Sequence, residues 1–174
     1  MADKEQVTGM PGLAGKYLTF ALGEEKYGLD ILKVVEIFGI MKITRVPRCP
    51  SFVKGVINLR GRVIPVIDLR LKLSMEERAH DEKTCIIVTN VSLGGDSLVI
   101  GMIVDTVLEV RDFTDASLEP APDYGAAFEG DLILAMGKEA DGRVTILLDI
   151  DAVFGSADAD VLRPMGGEGQ AAPI

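Results

Sequence analysis

The chain repeats itself once, and no other feature limits its possible folds as much. Residues 27–37 align without gaps on residues 100–110: a glycine, a valine and a glutamate coincide, and four more positions are apolar in both. Further on, residues 61–69 (Gly-Arg-Val-Ile-Pro-Val-Ile-Asp-Leu) align on residues 142–150 (Gly-Arg-Val-Thr-Ile-Leu-Leu-Asp-Ile). The offsets are 73 and 81, so the second copy holds eight extra residues between its blocks. Each copy has about 65 to 70 residues, a size at which a lone core is marginal. The copies must therefore bury a face against each other.

The pattern within each copy is that of short strands. Leu18, Phe20 and Leu22 alternate with Tyr17, Thr19 and Ala21, and Gly23-Glu24-Glu25 turns into residues 26–30. Residues 56–59 and 63–67 form two β runs joined through Arg60-Gly61, where Gly61 supplies a positive φ. Pro65 cannot donate to a ladder, which predicts an edge strand or a bulge. Residues 84–91 and 97–104 form a second hairpin, and 132–136 and 144–148 a third across Asp141-Gly142. Asp68 and Asp149 each follow a strand and precede a short apolar-periodic run, as helix N-caps do.

The expectation is an all-β chain with short helical turns, built as two small closed or nearly closed barrels. Subdomain one spans about residues 17–75 and subdomain two about 84–154, within a domain of residues 16–154. Residues 1–15 read as a flexible leader and 155–174, rich in Gly and Ala, as a disordered tail. Two packed barrels leave a groove along their junction, a natural seat for a partner's helix.

Composition removes several function classes. The longest good apolar run, residues 98–104, is far short of the ~20 residues a membrane span needs, so no direct membrane insertion is expected. Residues 1–5 have no apolar core of an export signal, and Cys49 and Cys85 form no metal spacing or disulfide framework, which fits a reduced cytoplasmic protein. The single histidine, His80, sits in a charged linker and reads as a surface residue, which removes histidine-based triads and zinc sites. No metal and no cofactor are expected.

Asp68, Asp105 and Asp149 are the obvious carboxylates for an enzyme, but capping and turns explain their positions more simply. The net charge of −9 hides an asymmetry: residues 16–72 carry 11 bases and 5 acids, residues 73–154 carry 5 bases and 17 acids. Such a molecule can steer opposite charges to its two halves. The aromatics of the basic half, Tyr17, Phe20, Tyr27 and Phe38, alternate as core residues rather than as a base-stacking platform, so no nucleic-acid partner is expected.

Two polar residues stand out. Glu36 lies inside Val34-Val35-Glu36-Ile37-Phe38, either as an exposed strand residue or as a charge at a contact surface. Arg60 is at a hairpin tip, where arginine is either solvated or an interface anchor. The two could pair with each other or with a partner.

Residues 33–37, Val46-Pro47, the run 52–61 (Phe-Val-Lys-Gly-Val-Ile-Asn-Leu-Arg-Gly) and residues 64–70 resemble the signature of CheW, the bacterial chemotaxis coupling family. Residues 100–105, Pro120-Ala121-Pro122 and 146–150 continue it, so the resemblance covers about 17–154. It implies two SH3-like five-stranded barrels packed on each other, and an adaptor without catalysis. The implied partners are a CheA-type histidine kinase, whose regulatory domain is itself CheW-like, and the cytoplasmic tips of chemoreceptors (methyl-accepting chemotaxis proteins), held in membrane-associated arrays. By position it implies receptor or kinase contacts at Val34, Glu36, Gly55, Arg60, Gly101, Val107 and Val110, with the glycines acting through backbone shape. Arg62 and the long tail depart from the family pattern. A related scaffold serving another output, such as pili, has the same sequence signature.

Overall fold

The structure, a computed structural model, describes residues 12–93, 95–120 and 132–166. Eleven strands form two sheets. They are β1 (Gly15–Leu22), β2 (Glu25–Asp30), β3 (Val34–Gly39), β4 (Val53–Leu59), β5 (Arg62–Asp68), β6 (Cys85–Leu93), β7 (Asp96–Val104), β8 (Thr106–Phe113), β9 (Leu118–Glu119), β10 (Ile133–Lys138) and β11 (Val144–Leu148). Sheet I has the order β8-β1-β2-β11-β10-β9, and sheet II the order β3-β6-β7-β5-β4. Helices are short: α1 (Leu69–Lys72), α2 (Ile150–Val153) and α3 (Ser156–Met165).

The sheets do not follow the sequence division at residues 75 and 84. Each copy gives its first hairpin to the other copy's sheet: β1 and β2 join β8, β10 and β11, while β6 and β7 join β3, β4 and β5. The seam is a parallel pairing, Gly28 beside Leu147 in sheet I and Gly101 beside Val66 in sheet II. A Cβ at either glycine would come to 2.9 Å from a buried aliphatic branch, Leu147 Cδ2 or Ile86 Cγ2, so a larger residue at the crossing would have to displace that branch. The copies are interleaved, and neither could close a sheet alone.

Burial explains the near-continuous apolar runs of the central strands. Between the sheets, Leu18, Phe20 and Leu22 meet Ile67, Ile87, Val91, Ile100 and Met102. The other face of sheet II buries Ile57, Ile64, Val66, Ile86, Val88 and Ile103, and that of sheet I buries Tyr17, Phe113, Leu118, Ala135 and Leu147. A strand covered on both faces cannot alternate apolar with polar. Tyr17 and Phe20 are core residues, Phe20 stacking on Tyr27 at 6.0 Å, and Phe38 packs on the sheet II cluster.

Pro65 lies on neither an edge nor a bulge: β5 runs between β7 and β4. Its ladder to β7 starts one residue later, at Val66, so the missing N–H is not called for. Asp68 and Asp149 do cap α1 and α2, accepting from Arg70 N at 3.0 Å and from Asp151 N at 3.2 Å. The expected disordered tail is corrected over residues 156–165, which form α3 with Ala159 and Leu162 buried in the central cluster. Their i, i+3 spacing gives one apolar stripe, and Lys72 Nζ holds Asp158 at 2.7 Å. Of the expected leader, residues 12–15 are described, and the Tyr17 hydroxyl donates to the Leu13 carbonyl at 2.7 Å. Residues 1–11 and 167–174 lie outside the described residues, as do Ala121 and Pro122 of the expected proline motif. Among the described residues, no helix is long and apolar enough to cross a membrane.

Candidate functional site

Glu36 and Arg60 come together. Glu36 points from β3 along the half-buried face it shares with Val34 and Phe38, while Arg60 stands at the tip between β4 and β5. The tip is a two-residue turn with φ of 54° at Arg60 and 88° at Gly61, the mirror-image geometry that tight hairpins favour. Asn58 Oδ1 accepts from Gly61 N at 2.8 Å and fixes it. The Arg60 guanidinium donates to the Glu36 carboxylate, so a charged pair joins the β3 edge to the far hairpin of the same sheet.

Gly55 lies beneath this surface rather than on it. Its φ is +143°, and a Cβ there would overlap the Thr44 carbonyl. Thr44 pairs with Val56 through two backbone bonds, Thr44 N to Val56 O at 2.9 Å and Val56 N to Thr44 O at 2.8 Å. Gly55 therefore permits the segment after β3 to close on β4. Gly101 is buried at the parallel seam, and Val34 and Val107 are half-buried against the central cluster. Val110 is 48% exposed on β8.

The repeat reaches to single residues here. Both edge strands carry a β-bulge at matched positions, Val35 in β3 and the Leu108-Glu109 step of β8. The same alignment pairs the exposed apolar residues Val35, Ile37 and Val63 of sheet II with Leu108, Val110 and Val144 of sheet I. Sequence reading singled out the Glu36 face and missed Val35 and Ile37 on the opposite one. The signal was present: both align with apolar residues of the second copy, on strands at the sheet edges. Edge strands with bulged, twisted backbones resist nonspecific pairing yet present apolar side chains.

A third feature is an apolar groove of about 280 Å³ lined by Tyr27, Leu73, Met75, Leu132, Ile133, Met136, Ile146 and Leu148. It runs between sheet I and the end of α1, and two methionines give its wall an adaptable surface.

The carboxylates proposed for an enzyme are not assembled. Asp68 and Asp149 cap different helices, and Asp105 is held by Arg70 Nε at 2.8 Å, Arg70 Nη2 at 2.6 Å and Arg78 Nη1 at 2.8 Å. Burial alone raises the Asp105 pKa, but the Arg70 bonds, the Gly23 N–H and Arg78 outweigh it and hold the carboxyl below the usual range. Burial pushes the Asp68 carboxyl up. Among the described residues no cluster of three or more His, Cys, Asp or Glu could hold a metal ion, and both cysteines are free thiols.

The chain as a whole is similar to known proteins. A model of the CheW-like domain matches residues 16–158. The chemotaxis protein CheW of Klebsiella aerogenes is 38% identical over 160 residues, covering 91% of this chain and 93% of the relative. That of Rhizobium meliloti is 34% identical and covers 82% and 89%. The crystal structure of the scaffolding protein TtCheW from Thermoanaerobacter tengcongensis superposes with a TM-score of 0.70 at 34% identity, over 82% of this chain and 93% of that one. With its interleaved sheets and this match over residues 16–158, the chain belongs to the CheW-like domain family.

Proposed function

We propose that the protein is a non-enzymatic chemotaxis adaptor that couples the cytoplasmic tips of transmembrane chemoreceptors to a CheA-type histidine kinase. The match to the CheW-like domain over residues 16–158 carries this reading. The site geometry supports it: exposed apolar edges, a charged pair and an apolar groove suit docking.

Each sheet acts as an SH3-like barrel. In sheet II the Thr44–Val56 bridge and the Glu36–Arg60 pair draw the two edges together, and in sheet I β9 follows β8 and pairs with β10. Val34, Glu36, Arg60, Val107 and Val110 lie on or beside the docking surfaces, while Gly55 and Gly101 shape the backbone behind them. The groove beside Met75 and Met136 receives the receptor helix, and a barrel edge receives the kinase's homologous domain. The protein works in the cytoplasm and joins the membrane array through these partners.

Co-sedimentation with receptor-bearing membranes, with and without the kinase, tests the bridging. Kinase should pellet only when this protein is present. Kinase that pellets equally without it, or protein that stays in the supernatant, would exclude the adaptor role.

A further inference from the structure

A further cavity lies beside the loop after β3, next to Gly55, and none of the other six of those residues lines it. It holds about 890 Å³ and is walled by aliphatic groups, among them Met41, Ile43, Val46 and Leu71, with Arg45 and Arg48 at its mouth. Its frame is stiff. Pro47 and Pro50 restrict the loop, and the Thr44–Val56 bridge pins the loop's start to β4.

The charge of this cavity is not neutralised. Lys54 is paired with Glu77, but the exposed Arg45 and Arg48 make no ion pair among the described residues. Residues 40–52 hold three bases and no acid, whereas residues 114–131, in the corresponding interval of the second copy, hold five acids and no base. In a chain of net charge −9, two guanidinium groups with no ion pair among the described residues, gathered on one cavity of mixed polarity, are a local departure from the whole.

We infer that this cavity docks a short acidic segment of a partner protein, its carboxylates on Arg45 and Arg48 and an apolar residue against the aliphatic wall. Guanidinium groups match carboxylates in planar, two-point geometry. The volume far exceeds a free phosphate and suits a few residues of peptide. Nucleic acid fits poorly because the cavity offers no Phe, Tyr or Trp to stack a base, its one ring being the exposed His80. A lipid surface fits poorly because none of the large exposed apolar residues lies on its rim. The inference does not rest on the adaptor reading, since it uses a different surface.

The test titrates the full chain with a synthetic heptapeptide, Asp-Glu-Phe-Asp-Glu-Leu-Glu, and follows backbone amide shifts. The expected result is saturable binding with shifts confined to 41–54, 71 and 77–80, weakened about tenfold or more between about 50 and about 500 mM salt. Arg45→Gln with Arg48→Gln should weaken it comparably, whereas Arg62→Gln, at an exposed arginine off the cavity with no ion pair among the described residues, should not. A peptide with Asn and Gln in place of the acids should not bind. Binding that survives the double variant, equal binding of the neutral peptide, or shifts elsewhere would overturn the inference. So would tighter occupancy of the same amides by inorganic phosphate or phosphatidylglycerol vesicles.

Discussion

Single residues in this protein divide into those that shape the backbone and those that face outward. Gly55 is of the first kind. Gly55→Val places a branched side chain into the Thr44 carbonyl at a φ that L residues rarely adopt, and should cost about 3 kcal/mol or more in urea denaturation. Coupling would fail with it, for want of a fold rather than of a contact. Glu36 and Arg60 are of the second kind. An exposed ion pair contributes about 0–1 kcal/mol, so Glu36→Lys should leave the urea midpoint nearly unchanged while abolishing kinase coupling. The double reversal, Glu36→Arg with Arg60→Glu, separates roles: it can restore the internal pair, but a partner that reads the original charges will still be lost. Full recovery of coupling by the double reversal would make the pair purely structural.

At the scale of elements, the ties between copies decide stability. Asp105 joins the β7–β8 junction to α1 through Arg70 and to the β1–β2 turn through the Gly23 N–H at 2.6 Å. Its pKa is depressed in the folded state, so its contribution is present above the unfolded carboxylate value of about 3.9 and is lost as pH falls through the folded value. Asp105→Asn should lower stability at pH 7 by roughly 3 kcal/mol, because Arg70 is left partly buried without its partner. It should also flatten the acid limb of the stability profile. The α3 helix makes a second tie. Leu162 is fully buried, and Leu162→Ala should cost about 3 kcal/mol, whereas an unattached tail would show no change.

These ties also mark where sequence reading ends. The hairpins, the Asp68 and Asp149 caps and the alternation around Glu36 are local, set by turn chemistry and period, and were legible. The exchange of hairpins between copies was not, because a parallel seam through Gly28 and Gly101 has no short-range signal. Nor was α3, whose Ala159–Leu162 stripe is too brief to stand out against a Gly- and Ala-rich end. The partnership of Glu36 with Arg60 was available only as one of several options, since strand order decides which edge meets which tip.

The whole molecule is electrically uneven. The described segments of sheet I, residues 15–30, 106–120 and 132–148, carry 5 bases and 9 acids, and those of sheet II, within residues 34–104, carry 10 bases and 7 acids. Interleaving softens the contrast between the two halves of the sequence but keeps its sign. The two sheets therefore present opposite fields, and array assembly should slow and weaken as salt shortens the Debye length. Assembly unchanged by salt would confine the role of charge to local pairs such as Glu36–Arg60. The most direct measurement of the adaptor role combines the purified protein with receptor-bearing membranes and a CheA-type kinase, and follows ATP-dependent autophosphorylation. In that role the protein should be required for kinase activation, and Glu36→Lys should abolish it. Kinase activity indifferent to the protein, with components that another coupling protein does activate, would contradict it.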